Sequence, residues 1–490
     1  MFRYCRLLGA FLFMTVTSFD WNVSLIHKTC SRRQTFTLMA MHQPERKSYG
    51  LYVHIPYCRR RCNYCDFAIV PIGNMEQGDS RTIGFHKMDT DYRNAILNEI
   101  NLIGRSSSHD RKKIPLRSIY FGGGTPSLAP LSTLQEIMDA ILHSESAPFQ
   151  LMDENSDNDP AEITIECDPG TFDKPFLESI KSMGFNRISL GVQSFDDDLL
   201  TIMGRFHRSA DIYNSIRLIA EVFGKDKANY SIDLISGVPG LTLDGWKDTL
   251  RKAVSLHPRP MHISVYDLQV EKGTTFGRWY SSENEEEASQ LKRMPNATST
   301  PHPSLPSIDD CASMYRDTST YLRSNNYEHY EISSYARIDD NGRSHRSKHN
   351  QIYWEIGGEW YAIGLGATSN INGFRYSRPR ALSDYISDVG DETKWISSVS
   401  RHESYEVADK DDDALLDIIM TRLRTSDGLD LEWVAKEYGE FYVKAIMKGV
   451  RYFEEETDLV KVSPGNIKLT DPDGFLFSNN IISNIFVELD

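Results

Sequence analysis

The sequence predicts an α/β protein: a parallel sheet wrapped by helices into a partial or full barrel, followed by a small winged-helix-like unit at the C-terminus. Three observations carry this reading. From Tyr49 to about Leu268, short apolar runs alternate with amphipathic helical patterns. A strand returning parallel to its predecessor needs a crossover, and a helix is the usual one. There are six such runs, enough to curl a sheet, and the Gly-rich and polar motifs fall just after them. That is where parallel barrels gather their chemistry.

The strands are expected at Leu51 to Ile55, Ser118 to Phe121, Glu162 to Cys167, Arg187 to Gly191, Asn229 to Leu234 and His262 to Leu268. Helical periodicity marks Leu134 to Leu142, Lys174 to Met183, Asp211 to Phe223 and Leu243 to Leu256. Polar tracts interrupt the rhythm at Gly73 to Thr82, Ser106 to Lys113, Ser144 to Pro160 and Ser281 to Ser307, and read as surface loops. The aromatic-rich stretch Ile308 to Ser369 is expected to close the barrel side. An acidic link at Glu403 to Asp413 leads to a helix at Ala414 to Arg424, then to a helix-helix-hairpin pattern ending near Phe486. No internal repeat at a fixed period is evident.

A chain of 490 residues exceeds one ordinary core and implies two or three folding units. Its formal charge of −15, from 54 Lys and Arg against 69 Asp and Glu, argues against a broad nucleic-acid surface, which needs a concentrated cationic excess. The seven cysteines are Cys5, Cys30, Cys58, Cys62, Cys65, Cys167 and Cys311, with one tight cluster inside a folding region. Such usage reads as metal binding in a reducing compartment rather than disulfide stapling. Residues 1–44 differ in kind: Arg3 and Arg6 precede an apolar run from Leu7 to Val16, and a Ser/Thr-bearing stretch follows with Lys28, Arg32 and Arg33. The run is too short for a stable membrane span. The segment reads as a targeting sequence for a plastid or a mitochondrion, with an untargeted cytoplasmic protein starting near Met39 or Met41 as the alternative.

Chemistry concentrates in Tyr52-Val53-His54-Ile55-Pro56-Tyr57-Cys58-Arg59-Arg60-Arg61-Cys62-Asn63-Tyr64-Cys65, which places three thiols on a loop directly after a strand. Three soft thiolates can hold three corners of a [4Fe-4S] cubane and leave the fourth iron open. The competing reading is a zinc site with His54 as fourth ligand, although no second knuckle of the usual kind follows. Arg59, Arg60 and Arg61 could offset cluster charge, or simply form a solvated loop.

Together with Phe121-Gly122-Gly123-Gly124-Thr125-Pro126-Ser127, this segment resembles the radical S-adenosylmethionine (SAM) superfamily, and within it the HemN/HemW group of oxygen-independent coproporphyrinogen III oxidases and heme-chaperone relatives. The likeness runs from about Tyr49 to the C-terminus. It implies a partial (β/α)6 barrel with a HemN-type C-terminal domain. The implied divisions are 1–44 (targeting), 45–275 (barrel), 276–310 (insertion), 311–400 (barrel-closing and heme-binding) and 401–490 (C-terminal domain).

The resemblance implies that Cys58, Cys62 and Cys65 hold the cluster. It also implies that Tyr52, Gly123, Gly124, Thr125, Glu166, Gln193, Arg205 and Asp233 contact SAM. The glycine run would let backbone N–H groups reach the ligand. Helix capping is the reading preferred for Asp168 and for Asp173, and Cys167 reads as a small apolar core residue. Lys348-His349-Asn350-Gln351-Ile352-Tyr353-Trp354 matches the HNxxYW pattern of the chaperone branch, which makes His349 a candidate heme ligand; a hydrogen-bonded core histidine is the alternative. Gly364-Leu365-Gly366-Ala367 reads as a close-packed turn that could touch adenine.

The oxidases of the group continue with a further cysteine two residues after the third, whereas this chain reads Cys65-Asp66-Phe67. The expected function is therefore a heme chaperone that binds heme or a porphyrin and passes it to an acceptor hemoprotein, with an electron donor for the cluster. Coproporphyrinogen III oxidation, in porphyrin biosynthesis, is the alternative.

Overall fold

The computed structural model describes residues 48–73, 80–106, 113–152, 160–225, 227–280, 302–395 and 410–489. The expected targeting segment and most of the polar tracts and acidic link lie outside them. All six expected strands form: β1 (Tyr49–Ile55), β2 (Ile114–Gly123), β3 (Glu162–Cys167), β4 (Arg187–Gln193), β5 (Tyr230–Ser236) and β6 (His262–Asp267). They lie side by side in that order, each parallel to the next.

The crossover helices are α1 (Ser80–Ser106), α2 (Leu131–Met138), α3 (Lys174–Ser182), α4 (Ser209–Phe223) and α5 (Leu243–Val254). Local chemistry fixes their starts. Asp173 accepts from the Phe176 N–H to cap α3, as expected, and Thr242 accepts from the Gly245 N–H to cap α5. α2 begins earlier than its apolar pattern and runs into a wider turn at Asp139–His143.

The strands alternate by face. Val53, Ile119, Phe121, Ile163, Ile165, Ile188, Leu190, Ile232 and Ile263 point outward into the core shared with the helices. Their neighbours turn into the barrel: Tyr52, Ser118, Tyr120, Glu166, Arg187, Ser189, Asp233 and His262. Parallel sheets covered on both faces usually read as continuous apolar runs. Here the lumen is lined with hydroxyls, acids and aromatic rings, the composition of a ligand site.

The region beyond α6 (Ile308–Ser324) extends the sheet at both ends instead of sealing it. β7 (Tyr327–Glu331) and β8 (Ser334–Arg337) form a hairpin added antiparallel to β6. After the short helix α7 (Lys348–Trp354), β9 (Glu359–Ile363) adds parallel to β1, and β10 (Thr368–Ile371) and β11 (Phe374–Ser377) follow. The two ends, β7 and β11, are not paired, so the barrel is partial.

The C-terminal unit has its own core around Leu415, Ile446, Val450 and Ile485. It runs α8 (Lys410–Arg422), β12 (Leu429–Asp430), α9 (Leu431–Glu437), α10 (Glu440–Glu455), the hairpin β13 (Val460–Ser463) and β14 (Asn466–Leu469), and α11 (Ser478–Leu489). This is the helix-helix-hairpin order of a winged helix. No helix among the described residues is long and apolar enough to cross a membrane.

Candidate functional site

β1 delivers the chain to the C-terminal mouth of the barrel, where Cys58, Cys62 and Cys65 sit as free, half-buried thiols. Burial pushes the Cys58 thiol well up, and burial followed by the neighbouring Cys62 pushes Cys65 up to about 12. Without metal these two are neutral thiols; binding iron would replace their protons.

Among the described residues, no three His, Cys, Asp or Glu side chains converge on one metal position. A single zinc ion requires such convergence, whereas a cubane presents a separate iron to each thiol. His54 is committed elsewhere, Nδ1 to the Tyr52 hydroxyl at 3.1 Å and Nε2 to the Ala68 carbonyl at 2.8 Å, which removes it as a fourth zinc ligand. The donor set and its half-buried setting fit an iron-sulfur cluster.

Around the thiols the mouth is polar and tightly wired. Arg205 is buried, and its Nη1 donates to Cys62 Sγ at 3.5 Å and to the Tyr64 hydroxyl at 3.4 Å. Its Nη2 is ion-paired with Asp168 and donates to the Gly191 carbonyl at 3.2 Å, while its Nε is buried without a partner. Asp168 also accepts from Thr125 Oγ1 at 3.3 Å, and Thr125 Oγ1 lies 3.7 Å from Cys58 Sγ. Asp168 is therefore part of the site and not a helix cap, a correction to the sequence reading.

Gly191 explains how the ends of β3 and β4 can meet Arg205 here. A Cβ on it would lie 2.8 Å from Asp168 Oδ1, 3.1 Å from Gln193 Nε2 and 3.3 Å from Arg205 Nη2. Gln193 itself holds φ at 62°, a left-handed conformation costly for a residue with a side chain and common at functional sites.

The glycine run has a packing role of its own. The N–H groups of Gly123, Gly124 and Thr125 are all engaged, by Glu166 Oε2 at 3.0 Å, the Ile55 carbonyl at 2.8 Å and the Tyr57 carbonyl at 2.7 Å. Glycine is required because a Cβ on Gly123 would stand 2.3 Å from the His54 ring, and one on Gly124 would stand 2.6 Å from the Pro56 backbone. The run seats the cysteine loop against β2 and leaves no N–H for a ligand.

Deeper in the lumen, Glu166 accepts from the Tyr120 hydroxyl at 2.8 Å, and Asp233 accepts from Ser189 Oγ at 3.2 Å. Burial, reinforced by the Asp233 charge, raises the Glu166 carboxyl to about 7 against the opposing pull of its two hydrogen bonds. Asp233 is likewise raised by burial. These paired acids can exchange their internal donors for ligand hydroxyls or an amine. Tyr120 was not singled out in the sequence; its inward parity with Gly122 on β2 and with Tyr52 on β1 is the signal that finds it.

Tyr52 and His349 lie together at the floor, away from the cysteines. Ser347 caps α7, and the His349 ring stacks on Tyr120 at 5.0 Å and near Tyr52 at 6.4 Å. His349 Nδ1 bonds Ser118 Oγ at 2.9 Å and Nε2 bonds the Tyr353 hydroxyl at 2.8 Å. With both nitrogens engaged and 2% of the residue exposed, the ring is held here as a hydrogen-bonded core histidine, and a place on iron would require it to exchange one of these bonds. Burial holds it neutral, lowered to about 3.

Replacing His349 by Ala strands two buried hydroxyls and should cost roughly 2–3 kcal/mol, at about 1–1.5 each. The expected result is a lower melting temperature and an unchanged Soret maximum of bound heme. A shifted maximum at an unchanged melting temperature would put His349 on the iron after all.

Gly364 to Gly366 is close-packed as expected: a Cβ on Gly364 would meet the Tyr92 hydroxyl at 2.7 Å and the His54 carbonyl at 2.9 Å. The three arginines brace the loop, with Arg60 and Arg61 exposed to solvent. Arg59 donates to the Gly170 carbonyl, Arg60 to the Arg205 carbonyl, and Arg61 to the Cys65 and Phe67 carbonyls.

The chain is similar to known proteins in sequence and in fold. Residues 52–253 match the model of the radical SAM superfamily. The chain is 32% identical over 454 residues to the heme chaperone HemW of Synechocystis sp., covering 90% of this chain and 96% of that protein. It is 32% identical over 319 residues to the mitochondrial radical S-adenosyl methionine domain-containing protein 1 of Mus musculus, covering 65% of this chain and 60% of that one. Among solved structures, the fold is similar to coproporphyrinogen III oxidase (HemN) from Escherichia coli, with a TM-score of 0.64, 21% identity, and coverage of 90% of this chain and 91% of that one.

Proposed function

Because this chain belongs to the radical SAM superfamily, in the HemW group, we propose that it is a heme chaperone, binding heme and passing it to an acceptor hemoprotein. The observation that carries the reading is the 32% identity with a HemW heme chaperone across nearly the whole length of both chains. The Cys65-Asp66-Phe67 sequence supports it, since phenylalanine offers no thiol where the oxidases have one.

In this reading Cys58, Cys62 and Cys65 hold a [4Fe-4S] cluster, and Arg205 damps its negative charge through the N–H to Cys62 Sγ. Asp168 is a positioning residue that holds Arg205. Glu166 and Asp233 accept N–H and O–H donors of SAM, Gln193 and Arg205 flank the molecule, and Tyr52 closes the lumen below. Bound together, the cluster and SAM would supply one-electron chemistry. The mitochondrial relative and the basic, acid-poor first 44 residues support an organellar location.

The test is anaerobic reconstitution followed by two parallel assays. Heme uptake and transfer to an apo-hemoprotein are expected, without conversion of coproporphyrinogen III to protoporphyrinogen when SAM and reductant are present. Multiple turnovers of the porphyrinogen would replace the chaperone with the oxidase.

Glu166 makes the site sensitive to pH. Its folded-state value of about 7 exceeds the ordinary 4.5, so the folded protein holds this proton more tightly than the unfolded chain. The apo protein should lose stability as pH rises between those values, by at most about 3 kcal/mol from this group. Glu166→Gln is expected to flatten the dependence of the melting temperature between pH 5 and 8. Equal slopes in the two proteins would refute the assignment.

A further inference from the structure

Arg205 turns inward to Cys62, and the next residue, Phe206, turns outward with 48% of its surface exposed. The Arg59 guanidinium lies 4.4 Å over the Phe206 ring and that of Arg60 6.0 Å from it. Backbone carbonyls hold these cations: Arg59 Nη2 bonds the Gly170 oxygen at 3.2 Å, and Arg60 Nη2 bonds the Arg205 oxygen at 2.7 Å. Arg208 Nη1 beside them bonds the Arg205 and His207 oxygens at 3.1 and 2.8 Å. Among the described residues none of the three pairs with a carboxylate. A cationic rim beside a half-exposed aromatic ring, with Arg59 over one of its faces, stands out on a chain of net charge −15.

From this the geometry points to a docking platform for heme on the outer rim of the cysteine loop, formed by Phe206, Arg59 and Arg60. The proposal rests on the heme-chaperone reading. A planar macrocycle with two carboxylates on one edge needs a flat aromatic face for its ring and forked N–H donors for its propionates. A phosphate or other small anion would not use the ring, and an apolar peptide would not use the guanidinium groups. Held in this way, the cargo lies beside the cluster, and one axial face of its iron stays open to a ligand from the acceptor. The platform needs nothing from the buried His349.

The test is an absorbance titration of the cluster-loaded full chain with hemin and with hemin dimethyl ester. Phe206→Ala and the double variant Arg59→Gln/Arg60→Gln are each expected to weaken hemin binding about tenfold, while Phe206→Trp retains it. The ester should bind the wild type as weakly as hemin binds the arginine variant. Iron and sulfide content measured on the same samples identifies any variant whose loop has lost its cluster, and Phe206→Ala, which touches no cysteine, keeps the test decisive. Hemin titrations that superimpose on wild type would overturn the platform, as would an ester that binds as tightly as hemin. Unchanged hemin binding with slower cluster reduction by an acidic redox protein would assign the patch to that donor instead. If the wild type takes up and transfers hemin and the variants do so equally, the platform alone fails. If the wild type takes up none, the chaperone reading fails with it.

Discussion

Replacing any one of Cys58, Cys62 or Cys65 by Ala will leave the protein without a [4Fe-4S] cluster after anaerobic reconstitution, a complete loss rather than a graded one. Three thiolates are the smallest set that anchors a cubane and leaves one iron open, so no member is redundant. The remaining described cysteines cannot substitute. Cys167 faces the helix side of β3, in the apolar core, and Cys311 lies near Gly237, at the ends of β5 and β6. Cys167→Ser and Cys311→Ser should therefore retain full iron and sulfide. Iron and sulfide analysis with the charge-transfer absorbance reads the outcome; a complete cluster in Cys62→Ala would sink the assignment.

Arg378→Met will lower stability by about 3–5 kcal/mol, because it leaves the Glu99 carboxylate buried without its counter-charge. The side chains of Glu99 and Arg378 are 0% and 3% exposed and meet at 2.5 Å. Glu99 also accepts from the Tyr385 hydroxyl at 2.7 Å and the Gly364 N–H at 3.0 Å. The pair thus ties α1 to the Gly364–Gly366 turn, and a Cβ on Gly366 would stand 3.0 Å from Ala68, which accepts the His54 hydrogen bond beneath the cysteine loop. A double variant, Glu99→Met with Arg378→Met, should recover most of the loss, since neither charge is then stranded. Denaturant unfolding of the apo protein decides the matter. A single-variant loss under about 1 kcal/mol, the range of exposed pairs, would show that water reaches the carboxylate.

How much was legible follows from how far each signal reaches along the chain. The six strands announce themselves through apolar residues at every second position, and the helices through caps such as Asp173 and Thr242 three residues from the N–H groups they bind. The cysteine triad, compressed into one loop, is equally local. The misread residues are those whose partners are remote. Asp168 looks like a cap until the fold brings Arg205 and Thr125 to it, 37 and 43 positions away. The hydrogen bonds of His349 are illegible for the same reason, since Ser118, 231 positions away, meets its ring only in the fold. The packing role of the glycine run was missed because nothing in its own sequence says that the His54 ring lies against it.

The alternation along the six strands has a further consequence. Residues that hold the fold together and residues that line the lumen are adjacent in sequence but sit in separate environments, one apolar and crowded, the other polar. A change at Ile165 is felt by the helix packing and hardly by the lumen, while a change at Glu166 does the reverse. Selection on such a chain can explore new contents for the interior at less risk to the shell, because the two sets of residues occupy alternate positions of each strand. A scaffold of this kind can be turned from one cargo or reaction to another by substitutions on a single face.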